Sequence, residues 1–230
     1  MTTYVLVHGA WGGAHGFRLV RPLLAAHGHE VFTPSLTGIG ERSHLASPQV
    51  NLTTHIQDVV NNIWYEDLSD IVLLGFSYGG MVVTGAIGHI ADRVRHLVYL
   101  DAFVPRNGQS LYDLTGQHGE RVLGLGEQWL VPPLRRDYEE AEQAAFADLR
   151  RSPHPIGCFT EPVRLPHPLE QYPFSRLYIK ATAEPGPDAF VTAGRHARSS
   201  PAWDYREIET DHLVPYNRPG ELADILLGLA

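Results

Sequence analysis

Ser77, His212 and an acid at Asp101 or Glu184 are the residue types that could together do nucleophilic chemistry in this chain. A serine hydroxyl is a weak nucleophile until a base takes its proton and a third group orients that base. Histidine suits the base because its ordinary pKa lies near neutrality. Ser77 sits in Gly75-Phe76-Ser77-Tyr78-Gly79-Gly80, a G-x-S-x-G spacing. Ile71-Val72-Leu73-Leu74 before it is short and apolar, as a buried strand is, and Met81-Val82-Val83-Thr84-Gly85-Ala86-Ile87 after it opens a helix. Strand, sharp turn and helix form the context in which this spacing holds a serine on a strained elbow. Glycine at 75 and 79 removes side chains that would crowd the crossing.

His212 is one of thirteen histidines, and its position sets it apart. It follows the last strand, Trp203–Ile208, and precedes the last helix, Arg218–Leu229, so it can fall back over Ser77. Asp101 ends the strand Arg95–Leu100, where an apolar run has little reason to finish on a charge. Glu184 follows the next strand and is the alternative acid; Asp101 is favoured. In either case nucleophile, acid and histidine follow in that chain order. Acyl transfer also needs donors for a developing oxyanion. The backbone N–H of Tyr78 is one. Ala10, in the glycine-rich turn His8-Gly9-Ala10-Trp11-Gly12-Gly13, is the other, with Trp11 as alternative donor. His8 reads as a structural histidine holding that turn.

The elements that must position these groups alternate. Strands are expected at Tyr4–Val7, Glu30–Pro34, Ile71–Leu74, Arg95–Leu100, Arg176–Ala181 and Trp203–Ile208. Helices are expected at Arg18–His27, Asn51–Val60, Gly79–Ile90, Asp188–Arg198 and Arg218–Leu229, with Asn51 or Thr53 as a cap. That alternation implies an α/β chain, a mainly parallel sheet with helices on both faces. Ligands bind such sheets at the carboxyl ends of the strands. The chain reads as a single domain over 1–230. From Phe103 to about Pro173 it turns rich in Pro, Gly and charge, with no clear buried strand and a helix near Glu139–Arg150. A structureless loop of that length is improbable, so 103–173 reads as an inserted cap over the active edge.

Composition narrows the classes. The 230 residues are 43% hydrophobic, enough for a full core, and the net charge of −8 is spread without a basic stripe. Nucleic acid and anionic membrane are therefore poor partners. Cys158 is the single cysteine, which excludes an internal disulfide and fits a reducing compartment. No basic leader precedes the first strand and no apolar run reaches membrane-helix length, so a soluble cytoplasmic protein is expected. No metal or organic cofactor is called for; His27-Gly28-His29 reads as a turn.

Four stretches carry a resemblance: Val7-His8-Gly9-Ala10-Trp11, Thr33–Ser43, Gly75–Met81, and Leu97-Val98-Tyr99-Leu100-Asp101-Ala102-Phe103-Val104-Pro105. Together they resemble the α/β-hydrolase superfamily, and most closely its small single-domain branch of plant methyl-salicylate esterases, hydroxynitrile lyases and bacterial pyrethroid and carbendazim hydrolases. The resemblance implies Ser77 as nucleophile, His212 as base, and Ala10 and Tyr78 as oxyanion donors. Two departures matter. The plant members usually place the acid after the later strand, where this chain reads Ala181-Thr182-Ala183-Glu184. The lyases carry a threonine and a lysine where this chain has Gly9 and Leu213. Cyanohydrin cleavage is thus disfavoured.

The expected activity is hydrolysis of a small ester or carbamate through an acyl-enzyme. Trp11, Trp129 and Phe159 are expected pocket residues, and together with Phe17 and Tyr78 they imply an apolar or aromatic small-molecule substrate. Arg42 reads as a solvated loop residue, with contact to a polar substrate group as the alternative. The competing readings are a non-hydrolytic ligand receptor, and a cofactor-free lyase, haloperoxidase or acyltransferase on the same scaffold.

Overall fold

The computed structural model describes residues 1–116, 129–184 and 186–230. Six strands form one parallel sheet: β1 (Thr3–Val7), β2 (Glu30–Phe32), β3 (Ile71–Phe76), β4 (Val94–Leu100), and the strands Ser175–Ala181 and Asp204–Ile208. Each expected strand is present. The spatial order puts β2 beside β1, β1 beside β3, then β4, Ser175–Ala181 and Asp204–Ile208.

Alternation explains why the central strands are apolar on both faces, whereas the edge strand Asp204–Ile208 is buried only at Ile208. Successive side chains point to opposite faces, and both faces are covered. Val5, Val7, Ile71, Leu73, Leu97 and Tyr99 join one buried cluster with α2 (Leu52–Tyr65) and α3 (Gly79–Ile90). Tyr4, Leu6, Val72, Leu74, Val98 and Leu100 join a second, with α1 (Val20–Ala25) and the helix Pro219–Leu227. Asn51 is the cap of α2: its Oδ1 accepts the Thr54 N–H at 3.0 Å. α3 is buried almost all round, which suits its lack of charge.

Strand order reverses between β1 and β3, since the chain moves outward to β2 and then returns to the other side of β1. Such a reversal opens a crevice beyond the carboxyl ends of the two strands. The turn after β1 and the turn after β3 meet there; a Cβ built on Gly9 would lie 3.0 Å from the Ser77 Cβ.

The segment 103–173 divides. Leu111–Thr115 is a short helix with a Ser110–Asp113 capping box, and Ala141–Asp148 is the helix expected near 139–150. Leu130–Val131 and His154–Pro155 make a two-stranded antiparallel pair, His154–Pro155 being buried, where no buried strand was expected. Cys158, Phe159, Val163 and Leu165 sink into the main core beside α2 and α3, while Arg136, Tyr138 and Arg151 border the crevice. No helix among the described residues is long and apolar enough to cross a membrane.

Candidate active site

Ser77 follows β3 with φ +56, the left-handed region that L side chains seldom occupy. The crossing is tight. A Cβ on Gly75 would come within 2.6 Å of the Gly79 carbonyl oxygen, and one on Gly79 within 2.5 Å of the Val7 carbonyl oxygen. A Cβ on Gly80 would meet the Phe103 carbonyl oxygen at 2.1 Å. Backbone on both sides leaves room only for glycine, and the serine is pushed to the tip of the turn. The Ser77 N–H donates to the Leu100 carbonyl at 3.2 Å, which locks the elbow against the end of β4.

Asp101, next in the chain after β4, is also left-handed, with φ +38. Its N–H donates to the Ile179 carbonyl at 2.8 Å, turning the side chain up at the sheet edge. His212 comes from the loop after the last strand. Asp211 Oδ1 organises that loop, accepting the Leu213 N–H at 2.7 Å and an Asn217 side-chain N–H at 2.9 Å.

The three side chains form one chain of hydrogen bonds. His212 Nε2 lies 2.9 Å from Ser77 Oγ, and His212 Nδ1 lies 2.7 Å from Asp101 Oδ2. A neutral imidazole protonated on Nδ1 satisfies both: it donates to the carboxylate and accepts from the hydroxyl. The ring is held between Phe76 and Phe190, stacked at centroid distances of 4.8 and 5.3 Å. Glu184 is exposed and outside this network, whereas Asp101 is buried.

Asp101 has a second partner. Lys180 Nζ donates to its Oδ1 at 2.7 Å and to the Ala181 carbonyl at 2.6 Å, and both side chains are buried. Burial by itself would raise the Asp101 pKa; the hydrogen bonds and charges of His212 and Lys180 outweigh it and hold the carboxyl below its ordinary value.

Among the described residues, neither the Ala10 nor the Tyr78 backbone N–H has a hydrogen-bond partner. Trp11, the other candidate donor, is committed: its N–H reaches His154 Nδ1 at 3.3 Å, and its indole N–H donates to the Val131 carbonyl at 3.0 Å. His8 holds the turn: its Nδ1 bonds the Gly9 carbonyl at 2.9 Å and its Nε2 accepts the Leu36 N–H at 3.2 Å. Burial lowers its pKa to about 4, so it stays neutral. The Tyr78 side chain points away into the core, where its hydroxyl meets His55 Nδ1 at 3.0 Å.

His55, His154 and Cys158 lie close together beneath that turn, within 4.8 Å by their ligand-type atoms. Their contacts are those of core residues, with His154 Nε2 left without a hydrogen-bond partner among the described residues. His55 Nε2 donates to the Thr37 carbonyl at 2.7 Å, the His154 ring stacks on Phe159 at 4.4 Å, and burial lowers both histidine pKa values and raises that of the thiol. His27 and His29 serve separate local contacts, to the Leu23 carbonyl and the Thr2 N–H.

The sequence matches the Alpha/beta hydrolase family over residues 4–225. The chain belongs to that family. This alpha/beta hydrolase is 35% identical, over an alignment of 247 positions spanning all of both chains, to a carbendazim hydrolyzing esterase of Nocardioides sp.. It is 24% identical to putative methylesterase 13 of Arabidopsis thaliana, covering 99% of this chain and 56% of the plant protein. An extracellular alpha/beta-hydrolase from a Paenibacillus species superposes with a TM-score of 0.79 at 26% identity, over 100% of this chain and 99% of the other.

In this hydrolase the cleft over Ser77 and His212 is lined by the glycine turn, Phe17, Phe76, Tyr138, Tyr216, Arg136 and Arg151. Trp11, Trp129 and Phe159 are not part of that lining. Phe159 is buried against the edges of Trp11 and Tyr78, at centroid distances of 5.7 and 5.6 Å, and the Trp129 carbonyl accepts the Ile156 N–H at 2.8 Å. Arg42 is less solvated than expected, bridging the Ser35 carbonyl at 2.9 Å and Asp58 at 3.1 Å. Sequence reading missed Lys180, though a lysine closing the apolar strand Leu177-Tyr178-Ile179-Lys180-Ala181 is the same signal that singled out Asp101. It also missed Phe190, Arg136 and Arg151, which carry no local pattern.

Proposed function

We propose that this protein is a serine esterase that cleaves a small carboxylic ester or carbamate through an acyl-enzyme. The observation that carries the reading is the continuous Ser77–His212–Asp101 hydrogen-bond chain beside two amides unpartnered among the described residues. The relative named as a carbendazim hydrolyzing esterase and the methylesterases among the matches support an ester-type substrate.

In this mechanism Ser77 Oγ attacks the substrate carbonyl carbon while His212 Nε2 takes the hydroxyl proton. Asp101 keeps the imidazole in the Nδ1–H tautomer and balances the imidazolium that forms. The Ala10 and Tyr78 amides receive the oxyanion, so their free N–H groups are arranged before the charge develops. His212 then protonates the leaving alcohol. Water, deprotonated by the same imidazole, attacks the acyl-enzyme, and the acid leaves as Ser77 recovers its proton. Aromatic walls at Phe17, Phe76, Tyr138 and Tyr216 suit an apolar or aromatic body.

A panel of p-nitrophenyl esters and aryl carbamates, with a fluorophosphonate probe for the serine, tests the reading. Turnover and rapid labelling, both abolished in Ser77→Ala, are expected. Labelling without turnover would favour a receptor; turnover surviving in Ser77→Ala would remove the proposal.

A further inference from the structure

Arg136 and Arg151 are half-buried at the mouth of the Ser77 cleft, and neither guanidinium has an ion-pair or hydrogen-bond partner among the described residues. Apart from Asp148, the neighbouring acids are engaged elsewhere. Asp137 pairs with Arg135 at 3.4 Å, Glu139 with Arg218 at 2.8 Å, Asp101 with His212 and Lys180, and Asp211 with Leu213 and Asn217. Asp148 borders the outer side of the cleft but forms no ion pair with either arginine. Arg136 and Arg151 repel each other, and burial with that repulsion lowers the Arg136 pKa. Arg18 and Arg150, each held over the Phe146 ring at 4.1 and 3.9 Å from its centroid, add further positive charge nearby. This basic mouth belongs to a chain whose net charge is −8. The charges of Asp211 and Asp101 act on Arg136 without pairing with it; partly desolvated like charges without a directly paired acid are costly, and a bound anion relieves the cost.

Two hydroxyls complete the arrangement. Tyr138 and Tyr216 line the same cleft with their rings edge to face at 5.6 Å, and neither phenol has a hydrogen-bond partner among the described residues. Guanidinium forks and phenol O–H groups are all donors, matched to a planar carboxylate.

We propose that Arg136 and Arg151 form a carboxylate-binding subsite, and that the favoured substrate is an ester bearing a free carboxylate away from its scissile bond. The inference rests on the esterase reading for its substrate class. Carboxylate binding itself can be measured without turnover.

Paired substrates read it out. The p-nitrophenyl half-esters of succinate, glutarate and adipate are compared with p-nitrophenyl butyrate, valerate and caproate. On the alcohol side, 4-carboxyphenyl acetate is compared with 4-carbamoylphenyl acetate. At least one anionic ester is expected to exceed its neutral partner in kcat/KM by about 10- to 100-fold, chiefly through KM, the range of charge-assisted hydrogen bonds. In the Arg136→Gln/Arg151→Gln protein that ratio falls towards one, and raised salt shrinks it in the parent. Neutral esters cleaved as well as every anionic partner, or a ratio unchanged in the double variant, would overturn the inference and leave the esterase reading standing.

A second measurement is independent of chemistry. Glutarate titrated calorimetrically into Ser77→Ala is expected to bind, and to stop binding when both arginines are also replaced by glutamine. Binding that depends on the arginines, without turnover of any ester, would sink the esterase reading and keep the subsite. No binding of glutarate, succinate or adipate, with no anionic preference in turnover, would end the subsite.

Discussion

Lys180 and Asp101 meet at 2.7 Å, both buried, on the carboxylate oxygen that His212 does not use. The imidazole therefore rests on a carboxylate whose other oxygen is already fixed by a cation. Removing one partner of a buried pair leaves an uncompensated charge, at a cost of about 3–5 kcal/mol.

Lys180→Met is expected to lower stability by that order, and to change its pH dependence. The folded Asp101 pKa lies below its ordinary value, so this carboxylate stabilises the native state above about pH 4 and the contribution is lost as pH falls through the folded pKa. Without Lys180 the folded pKa rises and the loss begins at higher pH. Thermal melts of both proteins between pH 3 and 7 check this; parallel curves would show that the lysine does not hold the acid.

Asp101→Asn is expected to cost about 10³- to 10⁴-fold in kcat, because an amide permits the wrong imidazole tautomer. Glu184→Gln is expected to change kcat less than about threefold, since the side chain is exposed and outside the network. Steady-state kinetics on one ester, beside circular dichroism to establish folding, separate the two.

Glycine positions differ sharply. Gly75→Ala puts a methyl 2.6 Å from a backbone oxygen, so the elbow must shift. A loss of at least about 1–3 kcal/mol is expected, a Tm drop of roughly 3–10 °C in a chain of this size. Gly220→Ala, with nothing within 4 Å of the added carbon, is the control and should keep or slightly raise Tm.

The elbow also stores strain. Ser77 at φ +56 holds a conformation that costs a non-glycine residue about 1–2 kcal/mol. Both Ser77→Ala and Ser77→Gly should be inactive, and the glycine variant should melt several degrees above the alanine one. Equal melting temperatures would mean that the turn carries no strain.

The sheet, its parallel sense and the rim where the chemistry would sit were legible in the sequence. Short continuous apolar runs alternating with helices leave one topology class, and in a parallel sheet every strand's following loop emerges at the same edge. That logic places residues after β1, β3, β4 and the last strand together without any coordinates, and so brings Ala10, Ser77, Asp101 and His212 to one place. It does not choose among the groups at that rim. A charge ending an apolar strand favours Asp101 over Glu184, but the contacts themselves, Asp101 to His212 across 111 positions and His212 to Ser77 across 135, span distances at which no local pattern operates. Lys180 beside the acid, Phe76 and Phe190 around the imidazole, and the two arginines at the mouth, unpaired among the described residues, depend on side-chain packing in three dimensions. Backbone periodicity is a local property of the chain; which side chains touch is decided by the fold that periodicity builds.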